Sequence, residues 1–117
     1  MNNTKKQITR FDAYDVSVEI AHALKPLLPA IRKCNARLGR QVVEAASSIA
    51  LNVAEGWRRL GRDREYHYTV AAGSAAEVGA AIDFAVALGV LDRDAAAPAL
   101  GFIDRELAIL HRLTHPK

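Results

Sequence analysis

The stretch from Arg40 to Leu88 constrains the fold of this chain more than any other. It reads RQVVEAASSIALNVAEGW, then a short basic turn, then REYHYTVAAGSAAEVGAAIDFAVAL. Apolar residues recur at three- and four-residue steps on both sides of the turn: Leu38, Val42, Ala45, Ile49 and Val53 before it, and Tyr68, Ala71, Ala75, Val78, Ile82 and Ala85 or Val86 after it. That spacing lines up one face of a helix. A short connection around Leu60 to Arg62 makes the two helices antiparallel neighbours. Gly39 and Gly61 are expected to bracket the first of them, Asp63 to cap the second and Gly89 to end it. Gly73, Ala76 and Ala80 offer a second, flat face to another helix.

The flanks carry the same period. Asp12 can cap a first helix whose buried face would be Tyr14, Val18, Ala21, Leu24, Leu28 and Ile31. Pro26 and Pro29 lack the N–H that a helix interior needs. We expect one long helix with a disturbed end; the alternative is a helix that stops near Lys25 and gives way to an irregular turn. Asp92 or Asp94 opens a last helix with Pro98 near its start and Leu100, Ile103, Leu107, Leu110 and Leu113 on its apolar face. No strand-like alternation and no internal repeat is present. The expected architecture is all-α, an antiparallel up-and-down four-helix bundle over residues 11–117 behind a flexible tail of residues 1–10.

Composition supports one small domain. A chain of 117 residues holds one modest core, and half of it is hydrophobic but only 6% aromatic, so helices must pack closely through alanine. The formal charge is +3, too small by itself to imply a nucleic-acid partner. Cys34 is the single cysteine, which excludes an intrachain disulfide and a cysteine-cluster metal site. Residues 1–11 lack the apolar run of a signal peptide, and no apolar stretch reads as membrane-spanning. The expected setting is cytoplasmic, with no membrane partner.

The polar residues within the helices are few. Glu44, Ser48, Asn52 and Glu55 follow steps of four, four and three, and Ser74 and Glu77 form a similar pair. Across an antiparallel hairpin, Ser48 or Asn52 could meet Ser74 or Glu77. Ser48, Asn52, Glu55, Ser74 and Glu77 therefore read as a structural polar network that fixes helix register. A carboxylate metal centre would need Glu-x-x-His steps on facing helices, and none occurs. Ser47 and Ser48 have no His and Asp partners at readable spacing, and no glycine-rich phosphate loop is present. No enzymatic activity, cofactor or metal is expected. The functional lead is basic: Arg32, Lys33, Arg37 and Arg40 cluster at one helix junction, and Arg58, Arg59, Arg62 and Arg64 at the next, roughly 30 Å away along one helix. Either cluster could hold phosphates. Trp57 and Tyr66 could stack on bases there, although packing the bundle end is the role preferred for both.

Ala46-Ser47-Ser48-Ile49-Ala50, Asn52-Val53-Ala54-Glu55-Gly56 and Ala72-Gly73-Ser74-Ala75-Ala76-Glu77 carry a resemblance. The chain resembles the four-helix-bundle family encoded by intervening sequences of bacterial 23S ribosomal RNA genes, which is related to the accessory variability protein of diversity-generating retroelements. The similarity runs from about Phe11 to Leu110. It implies an antiparallel bundle that assembles as a homo-oligomer, a pentamer with a central channel, and partners that include RNA or DNA and a reverse transcriptase. On this chain the motif falls on Ser48, Asn52, Glu55, Gly56, Ser74 and Glu77, which read as architectural. Nucleic-acid contact would fall to arginines outside the motif. The competing expectation is a protein-interaction or scaffold module without nucleic-acid binding.

Overall fold

A computed structural model of the chain describes residues 10–116. The tail assigned to residues 1–10 lies outside them except for the backbone of Arg10. The described residues are all-α, with five helices and no strand: α1 (Arg10–Leu24), α2 (Leu28–Cys34), α3 (Ala36–Trp57), α4 (Gly61–Ala87) and α5 (Arg93–Thr114). The expected count was four. The fifth arises at Lys25-Pro26-Leu27, where the chain turns out of α1 with Leu27 N–H donating to the Leu24 carbonyl at 2.9 Å. Pro29 then sits in the first turn of α2, where its missing donor is harmless. The first segment is thus two helices rather than one disturbed helix or a helix followed by irregular chain.

α1 lies against α3 and α5, α4 lies against α3 and α5, and α2 covers part of α3. The hairpin of α3 and α4 is antiparallel: hydrogen bonds join residue 48 to 74, 52 to 67 and 56 to 64 in descending register. The assembly is a plate, 42 × 36 × 19 Å along its principal axes. Its core is built from Ile20, Ile31, Val42, Ile49, Val53, Val78, Ile82 and Leu110, interleaved with alanines. Each buried isoleucine contributes about 1.5–3 kcal/mol relative to exposure. The alanines contribute little themselves and set how closely the helices approach.

The stripes expected on α3 and α4 are the buried ones; only Leu38 is half-covered. On α1 the face is rotated. Ala13, Val16, Ser17, Ile20 and Leu24 are buried, Tyr14 and Ala21 are exposed, and Val18 and Leu28 are half-buried. Helix limits also differ from the expectations at three points. Gly39 lies inside α3, which is capped instead by Asn35, whose Oδ1 accepts from Leu38 N–H at 3.0 Å. A Cβ at Gly39 would stand 2.7 Å from Arg32 Cγ, so the glycine makes room for α2. Asp63 is within the first turn of α4 rather than its cap, and Asp12 is likewise inside α1. Asp92 is the cap of α5, with its Oδ2 accepting from Asp94 and Ala95 N–H. Gly89 does end α4, at φ +78°, with Val90 N–H returning to the Ala85 carbonyl at 2.9 Å.

α4 departs from expectation in one more respect. It is long and apolar enough to cross a membrane by length and composition alone, because Glu77 and Asp83 are its only charges after the first two turns. Its inner face nevertheless belongs to the core of the plate.

Candidate nucleic-acid interface

The two basic junctions are built differently. At the first, Asn35 adopts an extended backbone (φ −158°) between α2 and α3 and caps both: its N–H donates to Ile31 O, and its side chain accepts from Leu38 N–H. The tight corner projects Arg32, Lys33, Arg37 and Arg40 into solvent, all exposed. None of the four has an ion pair or hydrogen bond among the described residues. The sequence explains why. Between Glu19 and Glu44 the chain carries Lys25 and these four cations and no acid at all.

At the second junction, α3 and α4 are joined by Arg58, Arg59 and Leu60. Arg59 is occupied twice. Its Nε and Nη2 donate to Glu55 Oε2 at 2.9 and 2.6 Å, and its Nη1 donates to Asp63 Oδ2 at 2.8 Å. These bonds and the guanidinium charge hold the Glu55 carboxyl below the usual carboxylate range and raise Arg59. Arg64 reaches back across the turn, its Nε and Nη2 donating to the Gly56 and Trp57 carbonyls at 3.1 and 3.3 Å. It satisfies the end of α3, where carbonyls lack intrahelical partners. Only Arg58 and Arg62 remain exposed and unpaired here. The structure therefore brings Arg32, Lys33, Arg37 and Arg40 together as free charge and divides the second set. Trp57 packs edge-on against Phe11 of α1 with ring centroids 4.2 Å apart, while Tyr66 is exposed rather than packed.

The polar strip of the hairpin is smaller than the set read from sequence. Asn52 Nδ2 donates to Ser48 Oγ at 3.1 Å and to the Ser48 carbonyl at 2.9 Å, and Ser74 Oγ donates to Ser48 Oγ at 2.8 Å. Glu55 turns to Arg59, and Glu77 is exposed without a partner among the described residues. His67 completes the chain instead. With Asn52 Nδ2 used as donor, Asn52 Oδ1 must accept, so His67 Nδ1 carries the hydrogen across 2.9 Å. The signal for His67 was the antiparallel register, which sets residue 67 opposite residue 52. A Cβ at Gly56 would stand 2.6 Å from Tyr68 Cε1, so this glycine admits the buried tyrosine ring.

Sequence reading also passed over Glu106. It is fully buried on α5, and neither carboxyl oxygen has a hydrogen-bond partner. Burial pushes its pKa up to about 8. Its signal was its place on the stripe Ala99, Ile103, Glu106 and Leu110, at steps of four, three and four. Among the described residues no group of three or more His, Cys, Asp or Glu is placed to hold a metal ion.

A family model described as 23S rRNA-intervening sequence protein matches residues 6–112. The chain belongs to this family. No curated protein and no solved structure matches it. In this 23S rRNA-intervening sequence protein the residues that carried the resemblance have local mechanical tasks. Ser48, Asn52 and Ser74 tie α3 to α4, Glu55 orients Arg59, and Gly56 yields to Tyr68. The unpaired cations lie elsewhere, at the corner of α2 and α3.

Proposed function

We propose that this 23S rRNA-intervening sequence protein is a non-enzymatic, oligomeric helical bundle that binds structured RNA or DNA through phosphates, without reading sequence. The observation that carries the reading is the corner of α2 and α3, where Arg32, Lys33, Arg37 and Arg40 are exposed and unpaired in a stretch devoid of acids. Unpaired cations gain counterion release on meeting a polyanion; cations already bound to carboxylates do not. Arg58 and Arg62 would add a weaker contact at the far end of α3. Arg59 and Arg64 of the original set act structurally in this reading.

The finer architecture belongs to the same proposal. α1 and α2 together serve as one broken helix, making an up-and-down four-helix bundle with α3, α4 and α5. The resemblance further implies a homo-pentamer, kinship with the retroelement accessory variability protein, a reverse transcriptase as protein partner and a cytoplasmic setting. Repetition of the basic corner in an oligomer would raise avidity without any new contact.

The test is the anisotropy of a labelled structured RNA titrated with protein at about 50 and 200 mM salt. Binding that weakens by orders of magnitude at the higher salt supports phosphate contact. Absence of binding at both salts removes this reading and leaves the second one, a scaffold that engages protein only. That alternative draws on the outer face of α4, which is apolar and largely uncovered.

A further inference from the structure

The turn between α3 and α4 exposes more than charge. Leu60 is 78% exposed and Tyr66 62% exposed, whereas Trp57 at the same end packs on Phe11. Arg58 and Arg62 are exposed and unpaired among the described residues. Arg62 and Tyr66 are four residues apart in α4, so a guanidinium and an aromatic ring stand side by side on one face of the helix. Thr69, Gly73 and Ala76 follow on that face, so the pairing of cation and ring is confined to the turn. Gly61, between Leu60 and Arg62, takes φ +57°, and a Cβ there would meet nothing within 4 Å. The backbone of the turn is therefore open to close approach.

The ring is held rather than loose. It meets His67 edge-on, with centroids 5.3 Å apart and planes at 75°, and His67 is anchored to Asn52 at 2.9 Å. A ring ordered before binding loses little freedom when a ligand settles on it. The nearby acids do not oppose an anion here. Glu55 and Asp63 are neutralised by Arg59, and Glu65 lines a hollow with Arg64, Leu113 and Thr114 that neither Arg62 nor Tyr66 lines. The corner of α2 and α3 differs in kind. From Lys25 to Glu44 the chain has no aromatic residue, so the corner can hold phosphates but has no ring to stack on a base. An aromatic ring beside cations suits an unpaired strand: the ring takes the face of a base, whichever base it is, and the cations take the phosphates. We propose that the α3–α4 turn binds an unpaired nucleotide of an RNA or DNA strand, with Tyr66 stacked on the base, Leu60 adding apolar contact, and Arg58 and Arg62 on the neighbouring phosphates. This site rests on the proposed nucleic-acid function and adds a ligand class to it. The corner grips the phosphates of any strand, and the turn selects strands whose bases are free.

The test is the anisotropy of three labelled probes titrated with the full chain near 50 mM salt: an oligothymidylate of about 20 nucleotides, a strand of the same length whose central residues are abasic, and a blunt duplex. The abasic strand keeps the phosphates and removes the bases. The wild type is expected to prefer oligothymidylate over the abasic strand by at least about fivefold. Tyr66→Ala changes a solvent-facing position, and circular dichroism should show it folded. It is expected to lose that preference while its duplex affinity stays within about twofold of wild type, and Tyr66→Phe is expected to keep the preference. Arg58→Gln with Arg62→Gln should lower the salt dependence on oligothymidylate by about one to two contacts. Equal affinity for the two single strands overturns the inference, and so does a Tyr66→Ala protein that still prefers the strand with bases. A Tyr66→Ala protein that loses duplex and single strand alike also overturns it, since the ring would then be supporting the fold rather than a base. Binding of the duplex with neither single strand bound removes the stacking site and leaves the phosphate reading of the corner standing. Failure to bind any of the three probes overturns both.

Discussion

The corner of α2 and α3 and the turn between α3 and α4 look alike in sequence, with four cations each, yet they are opposite objects. At the corner all four are free; at the turn, Arg59 is bound to Glu55 and Asp63 and Arg64 is spent on carbonyls. The difference arises from acids at helical spacing. Glu55, Arg59 and Asp63 follow steps of four, so each carboxylate falls within reach of the guanidinium. Glu44 is also four residues from Arg40, but no bond forms between them, and the remaining cations of the corner have no acid to meet. Counting basic residues therefore overstates the second end. What a polyanion can use is charge that the protein has not already used.

Glu106 extends the contrast from exposed charge to buried charge, and it has the largest expected effect. Its carboxyl is unpaired, as the corner cations are, but without water. A group raised from 4.5 in the unfolded chain to about 8 in the fold leaves its own contribution to stability most favourable below about pH 4.5. Stability then falls as pH rises from there to about 8, because the unfolded state ionises first, and levels off above. At about 1.4 kcal/mol per unit the loss is about 5 kcal/mol. Glu106→Met should recover most of that at pH 8 and far less at pH 5, read as the shift in urea unfolding midpoint. Equal gains at the two pH values would show that the carboxyl ionises in the fold as it does outside.

Next in size is the direct test of the two ends. Arg37→Glu with Arg40→Glu should weaken binding of structured RNA by roughly 100-fold near 50 mM salt and lower the salt dependence by about two phosphate contacts. Arg32→Glu with Arg37→Glu, at the same corner, should behave similarly. Charge reversal at Arg58 and Arg62 should cost distinctly less. If the two ends respond equally, pairing is not what separates them.

Arg64→Ala is expected to move stability rather than binding. It removes two charge-assisted hydrogen bonds from the end of α3, worth about 1–2 kcal/mol in denaturant unfolding, and should leave RNA affinity within about twofold. A large loss of affinity with unchanged stability would place Arg64 among the binding cations after all.

The buried stripe of α3 was legible in the sequence because it has one dominant apolar period, broken by polar residues that could not be core; the stripe read on α4 is also the buried one, although that helix is apolar on its outer side too. The buried face of α1 was not legible, because that helix has two such periods. Tyr14, Val18 and Ala21 are as regularly spaced as Ala13, Val16 and Ile20, and periodicity alone does not say which face a single copy buries. The face chosen from sequence lines an open groove against α2 and α3, so the period was real and only its burial was misassigned. The basic clusters were legible as charge but not as free charge, since hydrogen bonds such as that from Arg64 to Gly56 depend on how the turn folds back. His67 and Glu106 were passed over for opposite reasons. One needed the register of the hairpin, and the other was an acid on a stripe where acids are rarely buried.

The smallest expected effect is also the sharpest probe of the comparison. Glu55→Gln with Asp63→Asn keeps the size of both side chains and releases Arg59. Thermal stability should change little, because all three groups are solvent-exposed and such pairs are screened by salt. The sign at Glu55 is the reverse of that at Glu106. Its lowered carboxyl contributes stability above its unfolded value and loses it as pH falls through the folded one, and the double variant should flatten that acid limb. Freed of its carboxylates, Arg59 joins Arg58 and Arg62 as a cation available to phosphate. RNA affinity should rise about threefold near 50 mM salt, and the salt dependence should steepen by about one contact. An unchanged affinity would mean that the turn is excluded from the nucleic-acid surface by position, whatever its charge, and that the corner of α2 and α3 binds because of where it lies rather than because its arginines are unpaired.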